Sequence, residues 1–162
     1  MREGQLKVLG QGVIAGLIGY ATVALVFAIA NAVAGRSVFY TAAVLGASLF
    51  YGIRDPAQVA VSAQYVFAYN GVHLLVFLGF GVVSAWMAWL AERVTQLWYV
   101  GLVMFFFIAF HLVAAMQAIA IPMQQAVSGP AIWTAGAAAA VLMAAYLLYI
   151  HPRIRAGERW EG

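Results

Sequence analysis

Charge is what this sequence has least of. Of its 162 residues only 8% are Asp, Glu, Lys or Arg, while 66% are hydrophobic. A soluble domain has about a quarter charged and roughly half apolar residues. A soluble fold of this length keeps much of its chain near the surface and could not hide so much apolar area. Lipid is the solvent that makes this composition stable, so the chain reads as an integral membrane protein in contact with a bilayer. Cysteine is absent altogether. That excludes disulfides, cysteine-ligated zinc, iron–sulfur clusters and covalently attached c-type haem, and it leaves the redox compartment undetermined. No Lys/Arg run is interleaved with aromatics, so nucleic acid is not an expected partner. No Asp or Glu falls inside a long apolar run, which argues against ion- or proton-coupled transport. Hydroxyls exist at Thr41, Ser48, Ser62, Ser84 and Thr134. None belongs to a motif with a histidine and a carboxylate, and no phosphate-binding loop is present.

Long apolar runs are what the chain has instead. Spanning ~30 Å of hydrocarbon takes about 20 apolar residues in a helix. Four segments qualify: about 12–34, 64–90, 97–121 and 131–150. Each meets a stop, at Gly35-Arg36, Glu92-Arg93, Pro122 and His151-Pro152-Arg153. Backbone groups in lipid must be paired internally, so helices are the expected form. Ala30-Asn31-Ala32 resembles a small-residue cleavage site, but the first run is longer than a signal peptide's apolar core of about 7–15 residues. It is read as a retained span. With four spans both termini share a side, which then carries Arg2, Lys7, Arg93, Arg153, Arg155 and Arg159, against Arg36 and Arg54 opposite. Six basic residues against two put both termini in the cytoplasm of a bacterial-type inner membrane. Trp86, Trp89, Trp98, Tyr99, Tyr146 and Tyr149 gather at that inner boundary, and Tyr65 and Trp133 mark the outer one.

The connection from Gly35 to Ala63 is long and oily. It is expected to hold a short helix over about 38–50, capped by Ser37, with Phe39, Leu45, Leu49 and Phe50 as its apolar residues. About 13 residues reach only ~20 Å, so this helix lies in the interface or dips in and returns. Asp55-Pro56 reads as an N-cap followed by proline at the first helical position, with Arg54 and Asp55 free to pair at the surface. Small residues at four-residue spacing, Gly12/Gly16, Ala15/Gly19 and Gly81/Ala85, let helix backbones approach, and the fourth run is rich in alanine. Packing inside the bundle is the expected use of these stripes, with a partner's docking face as the alternative. The fold expectation is an all-α, single-domain membrane protein over 1–162. It is a four-transmembrane-helix bundle with a short interfacial or re-entrant helix between the first and second spans.

Two histidines lie within the oily runs. His73 sits nine residues in from Gln64, ~14 Å deep, and His111 ten residues from Ile121, ~15 Å. On antiparallel neighbours they reach one level. That is the arrangement for axial ligation of haem b or another tetrapyrrole, with imidazole nitrogens as the metal ligands. Asn70, one turn outward, could orient an imidazole or meet a polar substituent. Ala114, Ala115 and Ala118 would give room on the third helix, while Tyr69, Phe77 and Phe80 crowd the second. Against this stands neutral imidazole as interhelical glue, together with Asn31, Asn70 and Gln117. A proton- or quinone-handling role also stays open. Met104 and Met116 read as helix filler, and His151, beside Pro152 and three arginines, as a headgroup-facing side chain. The functional expectation is a small accessory or structural subunit of a larger energy-transducing or redox membrane complex, carrying a tetrapyrrole between the second and third spans. Its partners would be other membrane subunits or copies of itself, and it would not be a catalytic subunit by itself. The alternative is a stand-alone b-type-cytochrome-like electron-transfer protein with His73 and His111 both ligating haem.

Overall fold

The computed structural model describes residues 3–93, 99, 106, 110, 114, 126–127 and 129–152. They form four helices: α1 (Glu3–Val33), α2 (Tyr40–Tyr51), α3 (Ala63–Arg93) and α4 (Gly129–Ile150). A single 3-10 turn covers Pro56–Gln58, and no strand occurs among the described residues. Helices α1, α3 and α4 are long and apolar enough to cross a membrane. Their 31, 31 and 22 residues rise about 46, 46 and 33 Å, against ~30 Å of hydrocarbon. They correspond to the first, second and fourth expected spans, each reaching beyond the expected start. The third run lies outside the described residues, except that Tyr99, Phe106, Phe110 and Ala114 are helical.

The ends of α1 and α2 follow from local chemistry. Gly35 adopts a left-handed backbone, φ 67°, which only glycine takes without a Cβ penalty. This lets the Arg36 N–H reach Asn31 O at 2.8 Å and the Gly35 N–H reach Ala32 O at 3.0 Å, closing α1 in a Schellman motif. Gly52, φ 68°, closes α2 in the same conformation. The helix expected over 38–50 is α2, but Ser37 does not cap it. Phe39 holds the cap position without a side-chain bond. The Ser37 hydroxyl instead accepts from the Phe39 N–H at 3.4 Å, making a turn two residues before the cap position. Asp55 behaves as read, accepting from the Ala57 N–H at 2.9 Å and from Gln58 Nε2 at 3.2 Å. With its carboxylate used in this way, Arg54 joins no ion pair among the described residues.

Helix α1 is the spine of the described bundle, packed along both α3 and α4, while α2 leans chiefly on α3. The α1–α3 seam is built on glycine. A Cβ on Gly81 would collide with Gly12 O and with the backbone of Gly16, and a Cβ on Gly16 would strike the backbone of Phe77 and Leu78. The small-residue stripes therefore pack helix on helix within this chain. On α4 the buried residues Ile132, Ala135, Ala139, Met143 and Leu147 recur every three or four positions, so one stripe faces α1. Helix α2 buries a continuous run from Ala43 to Ala47, while Leu49 and Phe50 stay exposed. It is docked by its middle, with Gly46 against the Tyr65 backbone. Large apolar side chains such as Leu25, Phe67, Leu75 and Val141 remain exposed on the outer faces, as lipid contact requires.

His151 departs from expectation. It is buried, and its Nδ1 meets Glu92 Oε2 at 2.8 Å. The end of α4 lies beside the end of α3, and a carboxylate there offers the imidazole a stronger partner than the headgroup layer.

Candidate functional site

The face of α3 that meets α1 changes character along its length. Gly81 brings the two backbones into contact, and one and two turns toward the α3 N-terminus stand Phe77 and His73, then Tyr69. These positions are four residues apart and therefore share a face. On antiparallel α1 the matching sequence runs from Gly12 and Gly16 to Tyr20. Where both helices carry glycine their backbones touch, and where both carry rings the side chains of Tyr20 and His73 meet between them. Beside these rings, α1, α2 and the segment leading into it, and α3 line a cavity of about 420 Å³ that is open on one side, within the usual 300–1,000 Å³ of small-molecule sites.

His73 forms part of this cavity's wall and is only 8% exposed. Tyr20 tilts against its ring at 5.3 Å between centroids, Tyr69 stacks at 5.1 Å, and Phe77 meets it edge-on at 4.9 Å. The imidazole is thus wrapped in aromatic rings, and its Nδ1 has no hydrogen-bond partner. A buried polar atom without a partner costs free energy.

Of the other polar groups around the cavity, those of Tyr20, Asn70, Thr41 and Asn31 are occupied, while the Tyr69 hydroxyl makes no hydrogen bond among the described residues. The Tyr20 hydroxyl donates to Asn70 Oδ1 at 3.1 Å, and Asn70 Nδ2 donates to Val66 O at 2.9 Å. Asn70 therefore orients Tyr20 across the α1–α3 seam, not the imidazole one turn away. The Thr41 hydroxyl donates to Asn31 Oδ1 at 3.0 Å, and Asn31 Nδ2 to Val38 O at 3.3 Å, so Asn31 ties α1 to α2 as interhelical glue. Tyr69 and Phe77 crowd His73 as their spacing implies.

His111, and with it any meeting of two imidazoles at one level, lies outside the described residues. Ala114, one turn along from it, is helical and exposed. Among the described residues no group of three or more His, Cys, Asp or Glu could hold a metal ion. A tetrapyrrole needs only an axial nitrogen, and the His73 imidazole is uncommitted. Yet the second ring nitrogen of a metal-bound histidine ordinarily donates to a carboxylate, carbonyl or water, and Nδ1 here has no such acceptor. Tyr20 is the site residue that sequence reasoning overlooked. Its signal was available: it is the one tyrosine in the first run, and a phenol in hydrocarbon needs a partner for its hydroxyl.

Comparison with protein-family models, with curated proteins and with solved structures finds no match for this chain.

Proposed function

We propose that this chain is a small four-span subunit of a larger energy-transducing or redox membrane complex, accessory to its catalytic parts, with both termini in the cytoplasm. The observation that carries the reading is the buried, uncommitted imidazole of His73 in the wall of a cavity whose described residues include no carboxylate. Imidazole, phenol and carboxamide can hold and orient an organic redox group. They lack the charge needed to couple ions and the nucleophile needed to hydrolyse bonds. The six-to-two distribution of basic residues supports the orientation. Exposed apolar faces on all three long helices leave room for neighbouring subunits as well as lipid.

The test is purification of the tagged chain from its native membrane in a mild detergent. Stoichiometric co-purification of the same membrane proteins supports the reading, and a chain that elutes alone overturns it. The same uncommitted imidazole also supports the second reading, a stand-alone b-type cytochrome with His73 and His111 as haem ligands. Reduced-minus-oxidised bands that vanish in His73→Ala and in His111→Ala would establish that one.

A further inference from the structure

We infer that the cavity between α1, α2 and α3 binds a neutral, lipid-soluble molecule through a carbonyl oxygen, which takes a hydrogen bond from His73. The inference needs the chain to be membrane-embedded, as read above, but not its membership of a complex.

Four observations select this chemistry. The cavity wall is mostly apolar, with Ala24, Phe27 and Phe39 among its residues, so the body of the occupant is apolar. Among the described residues neither Lys nor Arg lines it, which leaves an anion without a counter-charge, and neither Asp nor Glu lines it, which leaves a cation without one. Tyr20 and Thr41 have already spent their hydroxyl protons on Asn70 and Asn31. A neutral imidazole carries one N–H donor and one bare acceptor nitrogen. His73 makes no hydrogen bond among the described residues, so its N–H is an unspent donor in the wall, and the Tyr69 hydroxyl, which makes none either, is the second.

A carbonyl acceptor on an otherwise oily molecule is the complement. Two membrane-soluble sources present it, the ring of a quinone and the ester of an acylglycerol. The three rings around His73, all within 5.3 Å of it, suit a flat quinone ring, which gains by stacking. They suit a macrocycle less, because its breadth would have to lie across them.

The experiment uses the full chain in alkyl maltoside micelles, which contain no ester. Melting temperature is followed against a decyl-substituted benzoquinone, dioleoylglycerol and decane. A saturable rise with the quinone or the glycerol ester, and none with decane, supports carbonyl recognition, and the responding probe names the source. His73→Phe keeps a ring and removes the donor, and should weaken apparent affinity about tenfold. Ala24→Phe fills the cavity, alters no polar group, and should abolish the response, so the test survives if His73→Phe does not fold. An equal response to decane, an unchanged affinity in either variant, or no saturable response to any probe would overturn the inference. A Soret band in the purified protein would overturn it too, assigning the site to a tetrapyrrole. Co-purification of partner subunits is independent of all these outcomes, so failure here and failure of the accessory-subunit reading are separate results.

Discussion

At the scale of single residues, His73 and Tyr20 make opposite predictions although their rings touch. The Nδ1 atom of His73 is buried without a partner. Replacing the imidazole by a phenyl ring removes that unsatisfied atom and keeps the contacts with Tyr69 and Phe77. His73→Phe should therefore raise stability toward unfolding by about 1 kcal/mol, measured by equilibrium denaturation in mixed micelles. A fall would mean that the imidazole is a satisfied structural group. Tyr20→Phe removes the hydroxyl that Asn70 accepts from, and should lower stability by about 0.6 kcal/mol, typical of an interhelical hydrogen bond in a membrane. A residue that binds at the expense of stability and a neighbour that stabilises are a common pairing at functional sites. The sequence placed His73 inside a long apolar run, and that run is α3, because helical length follows from counting apolar residues. It could not reveal that the ring faces Tyr20. Lipid-facing and protein-facing sides of these helices are almost equally apolar, so the direction of a side chain around the axis leaves little trace in composition.

Elements show where that limit lifts. Gly12, Gly16 and Gly81 mark in the sequence the faces where backbones approach, because backbone contact demands the absence of a side chain, though not that these faces meet each other. Gly79 is the internal control: it is exposed, and an added Cβ there meets nothing within 4 Å. Gly81→Val must push α1 away from α3 against unyielding backbone and should cost about 3 kcal/mol or more. Gly79→Ala should be neutral or stabilising by up to about 1 kcal/mol, since it relieves only glycine's excess backbone entropy. Equal effects of the two in the same unfolding assay would refute the seam. Other elements were less legible. The apolar residues of α2 were foreseen, but the helix buries its small middle and exposes Leu49 and Phe50, because Gly46 allows α2 to seat on the Tyr65 backbone. Glu92 and His151 are 59 positions apart in the chain. Their meeting depends on how α3 and α4 end side by side, which no local pattern encodes. Across that pair a double-mutant cycle should return a coupling of about 1–2 kcal/mol, between the values for exposed and for buried ion pairs. A coupling near zero would mean that the two helix ends are not joined through these side chains.

For the whole molecule the open quantity is parity. The described residues supply three long apolar helices, and an odd number of crossings would put the two termini on opposite sides of the membrane. The run at 97–121 is long and apolar enough to be a fourth, and the distribution of Arg and Lys favours an even number. The absence of cysteine makes this directly measurable, because each introduced thiol is the only one in the protein. Single variants Gly4→Cys, Gln58→Cys and Gly157→Cys would be exposed, in sealed inside-out and right-side-out vesicles, to a maleimide that cannot cross lipid. Four spans require positions 4 and 157 to react together in inside-out vesicles, and position 58 to react in the opposite orientation. Reaction of 4 and 157 from opposite sides would reduce the protein to three spans. It would also remove the basis for assigning Arg153, Arg155 and Arg159 to the side of Arg2 and Lys7. The His73 cavity does not depend on that outcome through its described lining, which belongs to α1, α2, the segment leading into α2, and α3. The expected pairing of His73 with His111 does, because with the 97–121 run out of the membrane the two imidazoles could no longer share a level within it.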